Sequence, residues 1–368
     1  MENEQKRNKK LVLSAVAFAV IVICVFAVVF RNCDRSTMMS ALRGADPLYL
    51  AAGVGCMCLF VCCESSNIGR VLKTLGYKTH FIENLEYGAS GFFFSGITPS
   101  ASGGQPMQLY YMNRNKVQIA HGSLSLLVEL MGFQLVSVIL GIFGVIYDHS
   151  FITGLSTATQ VLIYAGIAIS VSILSVLIML LFCPAAACFI ERKMKVFCLK
   201  INKKQAIRKI SKQMKEYRDG AFYIRKHIRV LAKNIAVTAV QLVAIYSVTY
   251  FVYRALGCSG AGWLEIFSLQ ALLNAGIAAV PLPGGTGAGE GAFKMIFAAI
   301  FTGGSLIPGM VLSRGLSFYL GMIITGMFLV IIKIRNRITA DGIQAKKRET
   351  ELNMRYRIKA AKADQQHA

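Results

Sequence analysis

Charge is scarce in this sequence, and acidic charge above all. Charged residues make up 16% of it, 18 acidic against 40 basic, where a soluble globular domain carries about a quarter. The five histidines are scattered without the spacing of a zinc site, so no metal is expected. No paired-carboxylate or histidine-based nucleophile motif occurs, which removes the usual signatures of a hydrolytic enzyme. The glycine-rich string at residues 281–291 is not followed by the Lys-Ser/Thr of a P-loop, and no βαβ unit surrounds it. A nucleotide cofactor is therefore not expected. A separate soluble domain is not expected either, because the polar tail after residue 333 is about 35 residues long, below the 50 or so a domain takes.

Apolar sequence fills the space that charge leaves. Hydrophobic residues reach 55%, and a bilayer crossing takes about 20 of them in a row. Residues 11–30, 48–63, 117–147, 159–182, 231–256 and 309–333 meet or approach that requirement. They predict an all-α polytopic membrane protein with six transmembrane helices. Lys6, Arg7, Lys9 and Lys10 precede the first run, and Arg31 follows it without a small-residue cleavage pattern, which reads as an uncleaved signal anchor. Cys24, Cys56, Cys58, Cys62 and Cys63 lie in or beside apolar runs and read as small packing residues, not as a disulfide framework.

The formal net charge of +22 would suggest nucleic acid in a soluble protein, but here the cations cluster beside the spans. Orientation is the simpler cause, and no nucleic-acid partner is expected. Residues 183–230 hold fourteen Lys and Arg against Glu191, Glu216 and Asp219, so the positive-inside rule puts this loop in the cytoplasm. Its part at 191–229 reads as a basic amphipathic insert, with Met194, Phe197, Leu199, Ile201, Ile207 and Ile210 among the cations, lying on the inner membrane surface. The basic tail at 334–368 should also be cytoplasmic, against anionic headgroups. Both termini are then expected on the cytoplasmic side of the cell membrane. With residues 64–87 read as an inner loop and 148–157 as an outer one, residues 88–113 must enter and leave from the cytoplasm, and residues 262–304 from outside. Two oppositely oriented re-entrant helical hairpins are thus expected inside one transmembrane domain, 1–333, an arrangement compatible with an inverted repeat.

Glycine breaks mark both dips. The first runs from Ser95 to Pro106 through Gly103 and Gly104; Ser102 and Gln105 have capping-box spacing, so a helix should start near Gly103 and turn its amides toward an anion. The second is Pro281-Leu282-Pro283-Gly284-Gly285-Thr286-Gly287-Ala288-Gly289-Glu290-Gly291, whose free amides suit a phosphate cradle. The first break can also be read as a close packing turn with no ligand. Ionisable residues within spans are functional candidates: Glu129, Glu290, Lys294 and Arg314, with Glu290 expected to pair with Arg314 or Lys294. Tyr110, Tyr111 and Tyr319 offer hydroxyls to a headgroup, or anchor the interface.

At these breaks the sequence resembles the transmembrane, flippase-like family of lysylphosphatidylglycerol synthases, the membrane part of MprF-type proteins. The matching strings are TPSASGGQPMQLYYMNR at 98–114 and PLPGGTGAGEGAF at 281–293, with Arg314 and Tyr319 in the span that follows. Thr286 stands where the family often has an apolar residue. Full-length synthases add a soluble aminoacyltransferase domain, which this sequence is expected to lack, so the resemblance implies the translocation half alone: a flippase or scramblase for an anionic or aminoacylated phospholipid of the phosphatidylglycerol type. The expected headgroup site comprises Ser102, Gly103, Gly104, Gln105, Tyr110, Arg114, Glu129, Pro283, Gly284, Gly285, Thr286, Gly287, Glu290, Lys294, Arg314 and Tyr319. A small-anion transporter and a membrane enzyme using Glu290 or Glu129 as acid or base remain open, as does a homodimer.

Overall fold

The computed structural model describes residues 43–98, 101–200, 204–278, 288–302 and 304–336. The expected first span at 11–30, the break residues 281–287 and the tail beyond 336 lie outside the described residues. Helix α1, Pro47–Thr74, starts where sequence chemistry places a start: Asp46 accepts from the Leu48 amide at 2.8 Å, and Pro47 takes the first helical position. It ends in a Schellman turn at Gly76 (φ +91°), with Tyr77 N bonded to Leu72 O and Gly76 N to Lys73 O. The left-handed backbone there explains the glycine.

The expected inner loop at 64–87 is therefore mostly helix. Its polar residues mimic a loop in sequence, yet they are satisfied inside the bundle. Asn67 Nδ2 donates to Thr238 Oγ1 at 2.9 Å, and Arg70 Nη1 donates to Asn67 Oδ1 at 2.7 Å and to Asn234 Oδ1 at 3.0 Å. Only residues 75–80 separate α1 from α2, Phe81–Ile97. Helix α3, Gly104–Arg114, folds back on α2, and α4, Ile119–Tyr147, crosses next. A short α5, His149–Gly154, leads to α6, Thr157–Phe182, which turns Val161, Ile173 and Val176 outward as a lipid-facing helix does.

The basic insert is two helices, α7 (Pro184–Lys200) and α8 (Lys204–Lys226), where one surface helix was expected. They pack on each other, with Arg218 and Lys195 ion-paired to Glu191. The face of α8 is not given over to lipid alone. Ala221 and Ile224 are buried against Val71, Leu124 and Leu174, while Arg225 Nη1 and Tyr217 Oη donate to Phe182 O and Leu180 O, carbonyls left open at the end of α6. Then come α9 (Ile228–Ala255), α10 (Trp263–Ile277), α11 (Ala288–Phe297) and α12 (Leu306–Asn336). Helix α12 contains a π turn at Gly315–Tyr319, closed by a bond from Leu320 N to Gly315 O.

Helices α1, α4, α6, α9 and α12 are long and apolar enough to cross a bilayer. Five of the six expected spans thus stand within the described residues. The pairs α2–α3 and α10–α11 are short, 17 with 11 residues and 15 with 10. In each pair the second helix packs on the first.

Candidate functional site

A polar cavity of about 340 Å³ lies within the helices. Its wall draws on α1 (Phe60), α4 (Phe133, Gln134, Ser137), α6 (Ser170), α9 (Tyr246, Thr249), α10 (Gln270, Asn274, Ile277), α11 (Gly289, Phe293) and α12 (Ser313, Arg314, Ser317, Phe318). Several of its polar groups are fixed to the frame: Gln134 Nε2 donates to Ser170 O at 3.2 Å, Thr249 Oγ1 to Gln270 Oε1 at 2.8 Å, and Asn274 Nδ2 to Gln270 O at 2.8 Å. The Ser313 hydroxyl is different. Its residue is 3% exposed and its oxygen finds no partner among the described residues, the state of a group that awaits water or ligand.

Arg314 is the one cation among the described residues of this wall. Its guanidinium lies 5.6 Å from the Phe318 ring centroid and reaches the first turn of α11, where a Cβ added to Gly289 would sit 2.6 Å from Nη1. Glycine at 289 is therefore what lets the arginine approach. First-turn amides lack helical acceptors and carry the positive end of the helix dipole. Guanidinium and helix start together make a region of positive potential at one side of the cavity, suited to an oxyanion.

Of the sequence-derived site residues, Arg314 is in this cavity, and Pro283, Gly284, Gly285, Thr286 and Gly287 lie outside the described residues. Glu290 is half-buried in the first turn of α11, and Lys294, one turn on, is exposed. Among the described residues no ion pair joins Glu290 to Arg314 or to Lys294, so the expected pairing is corrected. The arginine lies beside Gly289 and the Phe318 ring. Tyr319 is buried beside Phe318, one position past the cavity wall.

The first break does not reach this cavity. Helix α3 starts at Gly104, as expected, but the Ser102–Gln105 capping box does not form; Gly103 is the N-cap without a side-chain cap, and its amide donates to Thr98 Oγ1 at 2.9 Å. Gln105 is exposed, Tyr110 is 59% exposed, and Arg114 pairs with Glu86 at 2.6 Å. Gly104 presses its backbone onto α2. Phe60, Phe92 and Phe318 pack between α1, α2 and α12 and divide the first hairpin from the cavity.

Sequence reasoning missed a polar layer next to the cavity. Glu64 accepts from Gln108 Nε2 at 3.0 Å, and the Glu129 carboxyl interacts electrostatically with it. Gln108 reaches Glu64 across the groove that Gly91 leaves open. Gln241, 1% exposed, has neither its amide nitrogen nor its oxygen bonded among the described residues. Spacing was the available signal: Glu64 with Asn67, Asn234 with Thr238 and Gln241, Gln270 with Asn274, and Ser313 with Ser317 each repeat at three or four residues within apolar helices.

Five crossing-length helices around a polar internal cavity define a multi-pass helical membrane protein. The chain belongs to the Lysylphosphatidylglycerol synthase TM region family, which it matches over residues 12–325. Comparison with curated proteins returned no match.

Proposed function

We propose that the chain moves a phospholipid with an anionic headgroup, of the phosphatidylglycerol type or its aminoacylated form, between leaflets of the cell membrane. One observation carries this reading: the cavity of about 340 Å³ places the cation Arg314 against the start of α11. A phosphate there would accept from the guanidinium fork and the first-turn amides, and its acyl tails would remain in lipid. Membership in a family of lysylphosphatidylglycerol synthase transmembrane regions supports a lipid as the substrate.

The short helix pairs fit re-entrant segments. Fifteen residues of α10 rise about 22 Å at 1.5 Å per residue, short of a hydrocarbon core about 30 Å thick. The two hairpins then enter from opposite faces, and both termini and α7–α8 face the cytoplasm. Met194 and Leu199, exposed among the cations of α7, would rest in anionic headgroups.

Vesicles reconstituted with labelled phosphatidylglycerol test the reading. The wild-type chain should exchange label between leaflets, and Arg314→Gln should fall at least about tenfold, the loss of one charge-assisted contact. Exchange equal to protein-free vesicles would overturn it. Flux of free phosphate without lipid exchange would reassign the same site to a small-anion transporter.

A further inference from the structure

Helix register brings two carboxyl groups to one level of the bundle. Helices α1 and α4 run antiparallel, and Ser125 Oγ donates to Ile68 O at 3.1 Å. Four residues back along α1 and four forward along α4, that register sets Glu64 beside Glu129, and the two interact electrostatically. Helix α9 supplies a third side by the same geometry: Asn67 meets Thr238, so Glu64, three residues earlier, stands level with Gln241. Gln108 of α3 closes the group through its 3.0 Å bond to Glu64 Oε1.

Among the described residues no ion pair joins a cation to either carboxyl group. On α1 the nearest is Arg70, held by Asn67 and Asn234, with only the thiols of Cys62 and Cys63 closer along the helix. On α4 the nearest titratable group is His121, bonded to Tyr77 Oη at 2.9 Å two turns away. Lys233 of α9 points outward, Arg114 of α3 is committed to Glu86 of α2, and Arg314 of α12 lies in the cavity wall. Two ionised carboxylates at one level of an apolar bundle are disfavoured first by burial and then by their mutual repulsion, so that one takes up a proton.

We propose that Glu64 and Glu129 form a proton-binding site that holds one proton between them. The proton comes from water and returns to it, with no other bond made or broken. Both residues are partly buried. The site adjoins the cavity: Phe60, one turn beyond Glu64, and Phe133, one turn beyond Glu129, both line it. Proton gain or loss would change the charge about one helical pitch, ~5.4 Å, from the headgroup space. That link to transport rests on the reading in the preceding section; the proton site does not.

Infrared spectroscopy of the purified full chain in lipid nanodiscs tests the site directly. At neutral pH the wild type should show a protonated carboxyl C=O band, lost in both Glu64→Gln and Glu129→Gln and retained in the surface control Asp219→Asn. Glu129→Asp, which keeps a carboxyl, should retain it, as should Gln108→Leu, which leaves both carboxyls in place if Glu64→Gln fails to fold. Absence of the band in the wild type, or its survival in either glutamine variant, would overturn the proposal. So would its removal by sodium chloride at fixed pH, which would mean a metal cation displaces the proton. Leaflet exchange is read separately in the vesicle assay: its absence with the band present overturns the translocation reading and leaves the proton site standing.

Discussion

A Cβ placed on Gly104 would lie 2.7 Å from the Gly91 carbonyl oxygen and closer still to Ser95 Oγ. Backbone cannot yield as a side chain can. Gly104→Ala should therefore cost about 1–3 kcal/mol of stability, the range for overpacking, measurable by thermal unfolding in detergent; wild-type stability would show that the helices do not touch there. Gly289→Ala meets a different neighbour, the tip of the Arg314 side chain at 2.6 Å. That tip can swing away, so stability should stay within about 1 kcal/mol of wild type. Phosphatidylglycerol exchange should nonetheless fall about tenfold, equivalent to ~1.4 kcal/mol lost from one charge-assisted contact. The contrast bears on what the glycines say in sequence. Both strings announce a break, but only neighbours far away in the chain decide whether a glycine is there for packing, as at 104, or to admit an arginine, as at 289.

Among the elements, the long apolar helices were legible because composition and length alone specify them, and α4, α6, α9 and α12 fall within a few residues of the expected spans. Helix α1 was cut short in sequence because Glu64, Asn67 and Arg70 look like solvent-facing residues, whereas each finds its partner on α3 or α9. Partners more than forty residues away leave no local trace. The α7–α8 hairpin was legible as basic and amphipathic but not as docked, since Ile224 and Ala221 meet the bundle through contacts with α1, α4 and α6. Glu191 supplies a pH test of this hairpin. Hydrogen bonds from Lys195, and then from Arg218, hold its carboxyl below the ordinary carboxylate range. A depressed folded value means the stabilisation is complete above the ordinary range, about 4.3 for glutamate, and is lost as pH falls through the lowered value. Amide hydrogen exchange in α7 and α8 should therefore speed up, relative to α9, only as pH drops below that range. Glu191→Gln should show the faster exchange already at neutral pH, and identical exchange in wild type and variant would contradict the role given to the pair.

At the scale of the whole molecule, orientation follows from the basic hairpin, and cysteine labelling of intact cells can read it. Lys212→Cys should resist an impermeant maleimide added outside, and Thr153→Cys, in the α5 segment at the opposite end of α4, should react; the reverse pattern would invert the topology. The site was legible only in part on this scale: Arg314 and the start of α11 were named from sequence, while the rest of the cavity wall is drawn from seven helices and exists only once they assemble. The π turn in α12 belongs to this assembly. Before it, Ser313 and Arg314 face the cavity; after it, Gly321 meets Met57 and Phe92, and Met322 meets Gly96 of α2. A π turn holds one residue more than an α turn closed over the same stretch, and one residue is about 100° of rotation in a helix of 3.6 residues per turn. Gly315–Tyr319 thus works as a phase shifter along a single rod, letting its N-terminal part keep time with the cavity and its C-terminal part with the first hairpin. Removal of one residue there would leave the chain as apolar as before and its two ends out of step.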